Sequence, residues 1–457
     1  MTPLPEIAPP SAPAPIKGGG LREVLVLAFP VVLTQLSTSL MGVVDSAMVG
    51  RIGATELAAV GFGGIWLWAL FAMLYGTASG IQTFVSQADG AGNTRSCGAW
   101  IWQGLYALMP AGIALAAILA WLLKPALVLL SPSVEMQTLT TEYVQARLIG
   151  EIGFVAVMVI NSFYRGLGDT RTPLYITLIA NAINLVLDYG LIYGELGFPE
   201  WGVAGAGLAT TIAQWSNAIV LLVICQRRSI AKRCNTHPVA LNRIQIKRFL
   251  WTSTPIGGQW FIGMLSFSVF TTLVARMGDS SMAASQAFVM LLSLSFMQAI
   301  GISIATAILV GRYIGAGDLP AAIRTFRSSI VVGISLAICI AIAFIAIPIP
   351  LLRIFTDDPR VLELGRPLLL IGAFFQLADA IAIITDGALR GAGDTRWPFA
   401  VETALGWGVQ VPLAYYVGIV LGYGLTGAWL ASLVHILMLS TILVLRFRSN
   451  AWQKIRI

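Results

Sequence analysis

Apolar residues in this chain come in long unbroken runs that end at short clusters of charge. Ala111 to Leu123 carries no charged residue, and neither does Ser328 to Leu352. Runs of about 20 apolar residues cross hydrocarbon as helices, because lipid offers no partner to a backbone N–H or C=O. The alternating segments of a membrane barrel, about ten residues each, are absent from the sequence. The pattern predicts twelve spans: 24–50, 57–86, 98–123, 143–165, 172–194, 201–225, 249–275, 282–312, 326–352, 366–390, 397–421 and 424–446. The expected fold is therefore an all-α integral membrane protein of two six-helix bundles.

Composition supports this reading. The chain is 57% hydrophobic and only 11% charged, against about 25% charged for a soluble protein, so lipid must cover most of its surface. The net charge of +7 needs no nucleic-acid partner, because topology explains it. With the N-terminus in the cytoplasm, the outer loops and span ends hold only Arg51, Lys124, Arg147, Arg276, Arg353, Arg360 and Arg366 of the 28 basic residues. The rest fall inside, as the positive-inside rule requires, which puts both termini in the cytoplasm. Residues 1–20, rich in proline and glycine, read as a disordered tail without the layout of a signal peptide. The expected units are then a bundle over 21–225, a basic cytoplasmic linker over 226–248, a second bundle over 249–446 and a C-terminal tail over 447–457. Cys97, Cys225, Cys234 and Cys339 show no Cys-x-x-Cys spacing, so neither a metal nor a disulfide framework is expected.

The two bundles are copies. Arg165-Gly166-Leu167-Gly168-Asp169-Thr170-Arg171-Thr172-Pro173 returns as Arg390-Gly391-Ala392-Gly393-Asp394-Thr395-Arg396-Trp397-Pro398, and Pro30 returns as Pro255. Six spans per copy is an even number, so both copies enter the membrane in the same direction. A pseudo-two-fold along the membrane normal then relates them, with a substrate path between. In the repeated loop, glycines end one helix, Asp or Thr caps the next, and proline opens it. Arg165, Gly168, Asp169, Arg390, Gly393 and Asp394 are accordingly expected to be structural.

Charges inside spans are the candidates for chemistry, since each costs roughly 2.5–3.5 kcal/mol to insert. They are Asp45, Glu151, Asp188, Asp379, Asp386 and Glu402. Scaffold residues should appear in both copies, yet Asp45 has Phe270 as its repeat mate, Asp188 has Leu413, Asp379 has Phe154 and Glu402 has Thr177. Asp45 and Asp188 both lie about 6 Å from the outer ends of their helices, so they are expected to meet. Asn181, Asn184 and Asp188 form a polar stripe at helical spacing, with Asn161 expected to face it. Two carboxylates in one enclosed pocket exchange a proton readily, and the same oxygens offer Na+ a site at Asp45, Asp188 and Asn184. Asp379 and Asp386 are the second-lobe candidates, Asp386 having the polar Asn161 as its mate. Glu151 and Glu402 are placed near span ends, within reach of water.

Val43-Val44-Asp45-Ser46-Ala47-Met48-Val49-Gly50, then Glu56-Leu57-Ala58-Ala59-Val60-Gly61, the paired Arg-Gly-x-Gly-Asp-Thr loops and Gln376-x-x-Asp379-Ala380 resemble the multidrug and toxic compound extrusion (MATE) family. The resemblance covers nearly all the chain after residue 20. It implies an antiporter that expels bulky, often cationic drugs against H+ or Na+, with no other cofactor. Asn184 and Asp188 match the fifth-helix pattern of the DinF-like branch. The NorM-like branch has a seventh-helix glutamate where this chain reads Gly263-Met264, and often His-Gln where it reads Ser285-Gln286, although Asp379 matches that branch's tenth-helix aspartate. The DinF-like branch with proton coupling is therefore favoured. The expected setting is a bacterial inner membrane, the partners drug-like small molecules and the bilayer, and the unit a monomer. A lipid or polyprenyl-linked sugar flippase shares the duplicated plan but holds phosphate with arginines inside its cavity, whereas here they sit at loops and span ends. An intramembrane aspartyl protease is suggested by the two Gly-x-Gly-Asp strings, but these lie among arginines at the membrane surface.

Overall fold

The computed structural model describes residues 18–130, 133–455 and 457. Among them, twelve helices are long and apolar enough to cross a membrane. The first half holds α1 (Leu21–Gly50), α2 (Ala54–Gly90), α3 (Thr94–Leu129), α4 (Val134–Gly166), α5 (Arg171–Tyr193) and α6 (Gly202–Cys225). The second holds α7 (Arg243–Ala275), α8 (Asp279–Gly315), α9 (Leu319–Ala346), α10 (Pro359–Ala392), α11 (Arg396–Val420) and α12 (Gly424–Arg448). No strand occurs among the described residues. A short helix, Arg228–Cys234, lies in the linker, and Trp102 and Tyr106 of α3 hold the linker by donating to the carbonyls of Thr236 and Val239.

Helix α4 starts well before residue 143, where the apolar run begins. The Ser133 side chain accepts from the Met136 N–H at 3.2 Å, satisfying an N–H that the helix start leaves unpaired. A first stretch containing Glu135 and Glu142 can then extend past the hydrocarbon. This shift moves Arg147 from a span end into the body of the helix. The tail expected over 1–20 differs at its end. Residues 1–17 lie outside the described residues, but Gly18 and Gly19 are tied to α9, with Arg324 donating to Gly18 O and Ser328 to Gly19 O.

The halves meet through a seam that respects the repeat. Helix α1 packs on α8, and its counterpart α7 packs on α2. Glycines make the seam possible: a Cβ on Gly257 would strike Met73 O, and one on Gly76 would strike the Gly257 backbone. Gln87 of α2 donates to Gly391 O at 3.0 Å, and Arg312 of α8, at the equivalent repeat position, donates to Leu167 O at 2.7 Å. Each half thus clasps the other's loop motif. Tyr313 adds a bond to Glu23 at 2.8 Å. The glycine contacts sit near the middle of α2 and α7, while these hydrogen bonds lie at the end that holds both termini. Beyond the Ser39–Met297 contact at 3.8 Å, no side-chain hydrogen bond joins the halves toward the opposite end among the described residues.

Candidate cation-coupling site

In the first half, α1 and α5 bring Asp45 and Asp188 together, near enough for their carboxyl groups to interact. Asp188 is fully buried. Its Oδ2 accepts from Asn184 Nδ2, one turn earlier, at 2.5 Å. A little deeper, Asn181 Nδ2 donates to Ser37 Oγ at 2.8 Å and to Ser37 O at 3.2 Å, which locks the rotation of α5 against α1. That lock puts the polar stripe onto α1 rather than toward lipid. Two buried oxygens, Asp45 Oδ1 and Asp188 Oδ1, have no hydrogen-bond donor. A pair of facing carboxylates lacking donors is costly unless a proton or cation sits between them.

Three placements differ from the sequence expectation. Asn161 is buried with its Oδ1 unpartnered, but it stands apart from the pair. It lies about 21 Å of helical rise along α4 from Arg147, the α4 residue whose charge reaches Asp45 and Asp188. Glu151 does not reach water: it is buried, ion-paired with Arg147 and hydrogen-bonded by the Tyr75 hydroxyl of α2. Rings of Tyr75 and Phe154 meet edge to face at 4.8 Å beside it. Arg147, placed by sequence in the outer charge tally, is 13% exposed and is a cation within the lobe. Its charge and those of both aspartates reach Tyr143. The Arg147-x-x-x-Glu151 spacing (i, i+4) was the available signal, since it allows an ion pair on one helix face.

The second half encloses a different cluster. Asp386 pairs with Arg390 at 2.6 Å, one turn on in α10. Gln259 of α7 receives a bond from Arg390 at 3.0 Å and donates to both Asp386 and Glu402. Asp379 stands near enough to Glu402 for their charges to interact. Gln376 is buried with neither amide atom partnered. Glu402, expected near water, is therefore part of the lobe's polar interior. A Cβ on Gly263 would lie 3.3 Å from Glu402 Oε1, so α11 delivers a carboxylate to the α7 position where sequence showed none.

The repeated loops have separate roles. Asp169 caps α5, accepting from Thr172 N at 3.0 Å and Thr172 Oγ1 at 2.6 Å. Asp394 instead pairs with Arg446 of α12 at 2.8 Å. Gly168 and Gly393 take positive φ, +77° and +87°, as helix-ending glycines do. Arg165 is buried, while its repeat mate Arg390 is the counter-ion of Asp386, a role beyond loop structure.

Two six-helix lobes, sealed together at one end and each enclosing acidic groups away from water, define a membrane transporter. The MatE family model matches residues 30–190 and again 255–416, once in each half, and the chain belongs to that family. It is thus a transporter and not an enzyme. It is 31% identical over 437 residues to the probable multidrug resistance protein NorM of Thermotoga maritima, covering 95% of this chain and 93% of that protein. To the multidrug resistance protein PmpM of Pseudomonas aeruginosa it is 29% identical over 449 residues, with 95% and 93% covered. The fold is shared with the eukaryotic MATE transporter AtDTX14 (TM-score 0.82, 18% identity, 95% of this chain and 96% of that one). It is also shared with the Vibrio cholerae MATE transporter VcmN in the bent form (TM-score 0.84, 20% identity, 94% and 98%).

Proposed function

We propose that this chain works as a monomeric multidrug antiporter of the inner membrane, with both termini cytoplasmic. It exports bulky lipophilic compounds, often cations, as protons enter, and the Asp45–Asp188 pair is where the proton acts. The observation that carries this reading is a pair of neighbouring carboxyl groups, each with a buried oxygen that has no donor. A proton is the smallest ligand that fits between them, and Na+ on Asp45, Asp188 and Asn184 is the alternative. The names of the relatives, multidrug resistance proteins, support the substrate class, and the pairing of Asp188 with Asn184 supports a DinF-like site.

In the cycle, the ionised pair favours entry of a lipophilic cation from the inner side. Protonation from outside cancels that charge, α1 rearranges around Pro30, and the compound leaves. Release of the proton inside resets the carrier. Coupling requires only that proton and drug each favour a different state. In the second lobe Asp386 is already neutralised by Arg390, so Asp379 is its freer carboxylate.

The test is drug flux in proteoliposomes driven by an imposed pH gradient. Asp45→Asn and Asp188→Asn should each abolish proton-driven export, and wild type should exchange in sodium-free buffer. Undiminished exchange in both variants removes the site, and a strict sodium requirement replaces the proton.

A further inference from the structure

A cavity of about 800 Å³ lies along α7 between α2 and α11, on the side of α7 turned away from Gln259 and the second lobe's interior. Its deeper walls are apolar: Leu250, Pro255, Phe261, Ile262 and Phe399. Its mouth is basic, formed by Arg243, Lys247 and Arg396. None of these three cations has an ion-pair partner among the described residues. The Arg396 guanidinium lies 3.2 Å above the ring of Trp251, whose own side chain is exposed. Arg243 and Arg396 are the first residues of their helices, so the mouth sits at the membrane boundary on the terminus side. From Lys247 to Ile262 the helix rises about 22 Å, roughly the depth of one leaflet with its headgroups.

We propose that this groove is a binding site for an anionic phospholipid of the inner leaflet. Its phosphate is held by Arg243, Lys247 and Arg396, and an acyl chain lies along the apolar wall of α7. Charge complementarity selects the occupant: a lipophilic cation would meet three like charges at the mouth, whereas an anionic headgroup meets three unpaired donors. Trp251 suits the boundary, where amphipathic rings gather. A lipid seated there braces α7 against α2 and α11, at the end where the halves are closed. The site does not depend on the coupling role of Asp45 and Asp188.

Native mass spectrometry of the full-length, delipidated protein in detergent tests this, with phosphatidylglycerol or phosphatidylcholine of the same chain length added. Wild type should retain phosphatidylglycerol in preference. The triple variant R243A/K247A/R396A should bind it roughly tenfold more weakly or worse, and K247A alone several-fold more weakly. The linker variant R227A/R228A/R233A, which loses the same charge elsewhere, should bind like wild type. Equal weakening in the linker variant, equal retention of the two lipids, competition by glycerol phosphate at lipid concentrations, or displacement by a lipophilic cation would each overturn the proposal. If the triple variant fails to elute as a monodisperse protein, K247A against the linker variant decides it.

Discussion

At the residue scale, the first lobe's behaviour rests on one cation that hydropathy assigned to the membrane surface. Arg147 compensates Glu151 in a low-dielectric interior, and removing one partner of a buried pair leaves the other unpaired. Arg147→Met should therefore destabilise the folded protein by about 3–5 kcal/mol, read as a lowered unfolding temperature in detergent. Adding Glu151→Gln should restore most of that loss. A double variant no more stable than Arg147→Met would show that the pair contributes nothing as a pair. The acids themselves were legible in the sequence, because a carboxylate in an apolar run stands out and the repeat exposes it as unpaired with a copy. Their partners were not. Glu402 looked close to water because distance along a helix from its end says nothing about which way the side chain faces, and Gln259 turns it inward.

At the element scale, glycine decides how near helices can come. The seam of α2 on α7 closes over Gly76 and Gly257, with backbone meeting backbone as small residues permit in membranes. Gly257→Leu should force the helices apart, lowering the unfolding temperature by several degrees and abolishing drug transport. Gly42→Ala on α1, where a Cβ meets nothing within 4 Å, should leave both near wild type. Matching losses in the two variants would mean that glycine acts through flexibility rather than close approach. Span number and order were readable from the apolar runs. The early start of α4 was not, because its first turns are polar and rest on a single serine cap.

At the scale of the whole molecule, the repeat builds a symmetric clasp. Gln87 and Arg312 occupy equivalent positions and reach into opposite halves, while Asp89 takes a second Arg312 contact at 3.1 Å. Gln87→Ala with Arg312→Ala should loosen the terminus end and shift the population toward a state open there. Spin-label distances across the two loop motifs would lengthen, and the drug concentration needed for half-maximal export would change. Unaltered distances would assign the bonds to packing rather than gating.

The amino-acid sequence alone determined that the chain lives in lipid, how often it crosses, that it is a duplication, and which ionisable groups are out of place there. These follow from a local rule: hydrocarbon leaves backbone polar groups no partner but the helix, and charges no shelter but an interior. Tertiary structure decided which groups share a chamber, that Asp45 meets Asp188 while Asn161 stays apart, that Arg147 and Glu402 face inward, and at which end the lobes are sealed. Those outcomes depend on the rotation and depth of each helix against its neighbours. Contacts such as Asn181 with Ser37 and Gly76 with Gly257 set them, between residues far apart along the chain.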